Sequence, residues 1–187
     1  MNKAILKVLT FCFGLFIFTT ATSSTAQPAV PPTPQDGATW RRFSNNNGPL
    51  SAEMFIISKA QLEEFEKPSN EVVNLTPLVE AHVGDIVAIK VLFNGAGVSP
   101  TNTFDVTYDI RFVAPNGELY DDFHKENMPA YIGPTANLDA IYDNIMSIPH
   151  IRFEPHDAAG AYRVEVTLRD NVSGRKIGMT KSITLIK

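Results

Sequence analysis

The chain is poor in the residues that most often carry chemistry or covalent staples. Its 187 residues hold one cysteine, Cys12, and one tryptophan, Trp40. Because Cys12 lies in an apolar run near the start, nothing beyond it can form a disulfide, a thiolate metal site or a cysteine nucleophile. Positive charge is scarce too: sixteen Lys and Arg face twenty Asp and Glu, with no basic stripe. That balance disfavours nucleic acid and anionic membrane surfaces as partners. No apolar run reaches the roughly 20 residues that span a bilayer. HExxH, HxH and GxSxG arrangements are missing as well, which removes the common zinc-protease and serine-hydrolase frameworks. The expectation is a non-catalytic protein with no cofactor.

What is present begins with an export signal. Lys3 and Lys7 form a basic start, Val8 to Phe18 an apolar run, and Ser24-Thr25-Ala26 a small-residue cleavage site. Residues 1–26 are therefore expected to be a signal peptide and the protein to be periplasmic or extracellular. Phe11 is too bulky before Cys12 for a lipid attachment site. Cleavage removes Lys3 and Lys7, leaving fourteen basic residues against twenty acidic ones and a net charge of −6. Residues 27–49, with Pro28, Pro31, Pro32, Pro34 and the Asn45-Asn46-Asn47-Gly48 tract, read as a linker and loop. Residues 50–187 read as a single domain.

Within that domain the pattern is mainly period two. Ala52 to Ser58 reads as a strand, and Ser58 with Gln61 makes a capping-box start for a short helix ending before Pro68. Ile86 to Phe93 is apolar on both faces except at Lys90, with Val87, Ile89, Val91 and Phe93 as its inner set, so it belongs at the middle of a sheet. Phe104, Val106, Tyr108, Ile110 and Phe112 alternate with polar residues up to a Pro115-Asn116-Gly117 turn. Leu119 and Tyr120 begin a short return. Ile151 to Glu154 is brief; Tyr162, Val164, Val166 and Leu168 alternate clearly. Lys176 to Ile186 closes the chain, with Lys181 interrupting its apolar face. Seven to eight strands and one short helix define an all-β, antiparallel sandwich.

Asp157-Ala-Ala-Gly160-Ala-Tyr162 places a Tyr at the mouth of a strand after a turn. It resembles the tyrosine corner of immunoglobulin-like sandwiches, over roughly Leu78 to Lys187. The resemblance implies that Asp157, Gly160 and Tyr162 are structural and that the Tyr162 hydroxyl bonds to upstream backbone. Val164 stands where antibody domains have Cys, so the resemblance is to the fold. The order of Met-Phe-Ile-Ile, Val-Gly-Asp, Pro-Asn-Gly, Glu-Pro-x-Asp-x-x-Gly-x-Tyr and a final Arg-Asp hairpin is also similar to that of uncharacterised exported bacterial proteins.

Two regions are candidates for function. His150, Glu154 and His156 are close in sequence, but Pro155 breaks their register, and no metal site is expected. Asp121 to Ser147 is too long for an ordinary hairpin loop. It carries Met128, Tyr131, Ile132, Leu138, Ile141, Tyr142, Ile145 and Met146 among acids and prolines. Leu138, Ile141, Tyr142 and Ile145 have the spacing of a short amphipathic helix. The segment is either a crossover covering one end of the core or a recognition loop, with Met128, Tyr131, Tyr142 and Met146 as anchors for a protein or envelope component. The alternative is a small-molecule or metal pocket at the end of the sandwich beneath it.

Overall fold

A computed structural model describes residues 43–67, 74–135 and 137–187. The expected signal peptide, most of the expected linker and Trp40 lie outside the described residues. Among the described residues, ten strands and one helix follow in order. They are β1 (Asn45–Asn47), β2 (Leu50–Ser58), α1 (Lys59–Phe65), β3 (Glu80–His82), β4 (Ile86–Asn94) and β5 (Thr103–Val113), then β6 (Leu119–Pro134), β7 (Tyr142–Asp143), β8 (His150–Arg152), β9 (Gly160–Asp170) and β10 (Lys176–Ile186). Four of the ten are only two or three residues long, which explains the excess over the seven or eight expected.

The strands form two sheets. One runs β1-β2-β4-β7, with β8 also pairing β4; the other runs β3-β10-β9-β5-β6. All pairings are antiparallel except β3 with β10. The double-sided apolarity of β4 matches its place between β2 and the β7 and β8 pair. Its predicted inner residues Val87, Ile89, Val91 and Phe93 are all fully buried. With Met54 and Ile56 they join Phe104 to Phe112 of β5, Tyr162 to Leu168 of β9 and Ile177, Met179, Ile183 and Leu185 of β10 in one core drawn from both sheets. Each such side chain contributes about 1.5–3 kcal/mol by leaving water. Lys181 interrupts the β10 set because its amine reaches out to Glu53 of β2, 2.8 Å away.

The helix starts as its cap predicts, with Ser58 Oγ accepting the Gln61 N–H at 3.1 Å. Leu62 packs with Ile57 and Ala88 in a second, smaller cluster on the far side of the first sheet.

Three expectations are corrected. Asn45–Asn47 is strand rather than loop, paired with Leu50 to Ala52; the Asn47 side chain also donates to Lys176 O. Asp121 to Ser147 is not one long loop. Its first part continues β6 as a sixteen-residue edge strand alongside β5. Sequence patterning hid it because three register shifts interrupt its pairing, and Asp121, Asp122 and Asn127 take positive φ. Such bulges break period-two alternation. The helix expected around Leu138 to Ile145 is also absent: the segment is turns plus β7, with Tyr142 drawn inward to pair opposite Phe93.

Candidate functional site

The 142–147 segment is held from both sides. Asn144 is fully buried. Its Oδ1 accepts the Val91 N–H at 2.9 Å, and its Nδ2 donates to Ile89 O at 3.0 Å and Ser147 O at 3.2 Å. One side chain thus continues the backbone ladder of β4 where β7 has already ended. From the other side, Met146 N–H donates to Ala130 O of β6 at 3.3 Å, and Tyr108 OH to Ser147 O. The segment therefore ties β4 of one sheet to β6 of the other.

The four anchor residues separate in this setting. Tyr142 is buried, its ring 4.8 Å from Phe104 and 4.9 Å from Tyr131, and its hydroxyl donates to Asn137 O at 3.0 Å. Tyr131 is half-buried, with its hydroxyl on Pro134 O and its phenol pKa raised by burial. Met128 is half-buried against the core and borders a shallow hollow of about 650 Å³ with Phe123, His124 and Pro149. Met146 is 51% exposed. So Tyr142 packs in the core, while Met146 faces solvent beside Ile132, whose N–H meets its sulfur at 3.0 Å. Ile132, Leu138 and Ile145 are exposed as well. Sequence reasoning missed Asn144; an Asn in an apolar run is a signal only once its backbone partners are known.

A second hollow, about 670 Å³, opens where the β5–β6 turn meets the 150–158 segment. Tyr120, His150, Arg152, Glu154, His156 and Asp157 line it. Asp157 is buried and Oδ2 accepts the Tyr120 hydroxyl at 2.8 Å and the Glu154 N–H at 2.6 Å. Burial, followed by the neighbouring Asp157 carboxylate, pushes the Tyr120 pKa up. Tyr162 OH donates to Ala158 O at 2.9 Å, and its ring stacks on Phe112 at 5.5 Å and meets Phe153 at 5.1 Å. Gly160 has φ +136, and a Cβ there would lie 3.1 Å from Pro115. Asp157 and Tyr162 both line this hollow, and Gly160 approaches Pro115 at its edge. His150, Glu154 and His156 share the hollow's rim, yet among the described residues no three acidic, His or Cys side chains are arranged to hold a metal ion.

No family model matches the chain, and no curated protein does. Solved structures offer distant likenesses. An immunoglobulin-like protein from Pseudomonas aeruginosa is 15% identical with a TM-score of 0.37, over 72% of this chain and 91% of that one. A family 123 glycoside hydrolase from Clostridium perfringens is 14% identical with a TM-score of 0.38, over 74% of this chain but 27% of that one. A Niemann-Pick type C2 protein from the Japanese carpenter ant is 10% identical with a TM-score of 0.35, over 57% and 79%. Similarity at this level carries no argument about function.

Proposed function

We propose that this is an exported, non-catalytic, immunoglobulin-like β-sandwich protein that binds a protein or cell-envelope component. The two sheets around one core and the Tyr162 to Ala158 bond, read as a tyrosine corner, support the sandwich. The observation that carries the binding reading is the concentration of exposed apolar side chains. Ile132, Leu138, Ile145 and Met146 all come from β6 and the segment after it. Ile132 on a strand and Ile145 and Met146 on a firmly held turn sit on backbone that is already ordered, which lowers the cost of docking, and desolvating them drives association. Tyr131 and Tyr142 meet at 4.9 Å in the same region, and Met128 lies further along β6 beside the shallow hollow.

Capture from envelope extract tests the reading, with the intact protein beside an Ile132→Ser, Ile145→Ser, Met146→Ser variant. All three side chains are about half exposed, and urea unfolding of the variant beside the intact protein checks that it keeps its fold. A partner retained by the intact protein and lost by the variant is the expected result; equal capture overturns the assignment of this face.

A second reading, a small-molecule binder, draws support from the 670 Å³ hollow at Tyr120 and Asp157, which is within the size range of ligand sites. Its mark is a ligand whose binding is lost in Tyr120→Phe while Ile145→Ser leaves it intact.

A further inference from the structure

Lys90 is the least expected residue in the interior. It projects from the middle of β4 on the face away from the main core and is fully buried. Its Nζ lies 3.2 Å from Oδ2 of Asp143, whose side chain is 11% exposed, and 4.7 Å from the centre of the Phe65 ring of α1. Neither the amine nor Asp143 Oδ1 makes a hydrogen bond. Two facing charges in a largely buried site, with Nζ and Oδ1 lacking hydrogen bonds, are a costly arrangement: removing each ion from water costs several kcal/mol, and attraction offsets this only when the remaining donors and acceptors are satisfied. The register makes the meeting inevitable. Asp143 pairs opposite Leu92, so its side chain shares a face with Leu92 and Lys90.

We propose that Lys90 and Asp143 are joined by an isopeptide bond formed after folding. The ammonium passes a proton to Asp143 Oδ2, the oxygen 3.2 Å away, leaving an amine and a carboxylic acid face to face. The Nζ lone pair then bonds to Cγ. A second nitrogen proton moves to Oδ2, the Cγ–Oδ2 bond breaks, Oδ2 departs as water, and Oδ1 remains as the amide oxygen. One amine and one carboxylic acid become one secondary amide and one water. No oxidant, reductant or external group takes part. The product removes both buried charges and leaves a single N–H and a single C=O. It fastens β7 covalently to β4 in a protein whose only cysteine is Cys12. This inference stands independently of the binding reading.

Peptide mapping of the purified, fully denatured protein decides it. The expected finding is an intact mass lower than that of the mapped chain by one water, and a branched tryptic peptide containing both Lys90 and Asp143, with no cleavage after Lys90. Lys90→Met and Asp143→Ala each restore the full mass. A linear peptide ending at Lys90, at full intact mass, overturns the proposal. So does loss of water with only linear peptides, since that marks a cyclised Asp instead. The unsubstituted protein alone distinguishes these outcomes, so the test does not depend on either variant folding.

Discussion

Asn144→Ala is the sharpest test of how the candidate surface is held. The substitution removes three hydrogen bonds, to Val91 N–H, Ile89 O and Ser147 O. Two of those partners belong to β4, where neighbouring residues are fully buried and water cannot replace the lost group. Each buried backbone group left unpaired costs about 1–3 kcal/mol. The vacated volume adds a smaller cavity cost. A loss of about 3–5 kcal/mol follows, set against a total stability of about 5–15 kcal/mol for a domain. Equilibrium urea unfolding reads the loss as a fall in midpoint at constant slope, and hydrogen exchange locates it at the Val91 amide. Asn144→Asp keeps the acceptor for Val91 but turns a second oxygen toward Ile89 O and Ser147 O, so it too is expected to destabilise. A loss below about 1 kcal/mol in the Ala variant, with Val91 still protected, would refute the claim that Asn144 serves as the missing strand.

Other expectations follow from the Tyr162 region and from the partly buried Asp109–Arg169 ion pair. Tyr162→Phe removes the bond to Ala158 O while keeping the stacked ring, and thermal unfolding should show a loss of about 1 kcal/mol. Gly160→Ala meets both a positive φ and Pro115, so it should cost about 1–3 kcal/mol in the same assay. Asp109 is held below the ordinary carboxylate range chiefly by its hydrogen bond from Arg169. The stabilisation it gives is therefore complete above the unfolded Asp pKa of about 3.9 and fades as pH falls through the folded-state value. Urea midpoints of the unsubstituted protein and Asp109→Asn should differ at pH 7 and converge in acid; a gap that persists unchanged at low pH contradicts this.

The strands that pack at the core were legible because burial on one face writes itself as alternation. Phe104 to Phe112 and Tyr162 to Leu168 show it plainly, and both lie in the interior. The helix cap was legible from two residues, since Ser58 and Gln61 act locally. β6 was not legible. It lies at the rim of its sheet, where one flank has no partner strand, so bulges and prolines are tolerated and apolar alternation is not enforced. Asn144 and the Lys90–Asp143 pair were hidden for a different reason. Their meaning depends on neighbours more than fifty residues away in the chain, and no local pattern encodes that distance.

The uneven course of β6 has an effect beyond shaping the candidate surface. A straight, regular rim invites a second copy to zip along it, backbone to backbone. Here the left-handed kinks at Asp121, Asp122 and Asn127 throw successive N–H and C=O groups out of line, and Pro129 and Pro134 have no N–H to offer. The same rim carries Ile132, with Ile145 and Met146 close by, side chains that would otherwise add adhesion to such zipping. Backbone-to-backbone growth along this rim is thus disfavoured, and contact there is left to side chains.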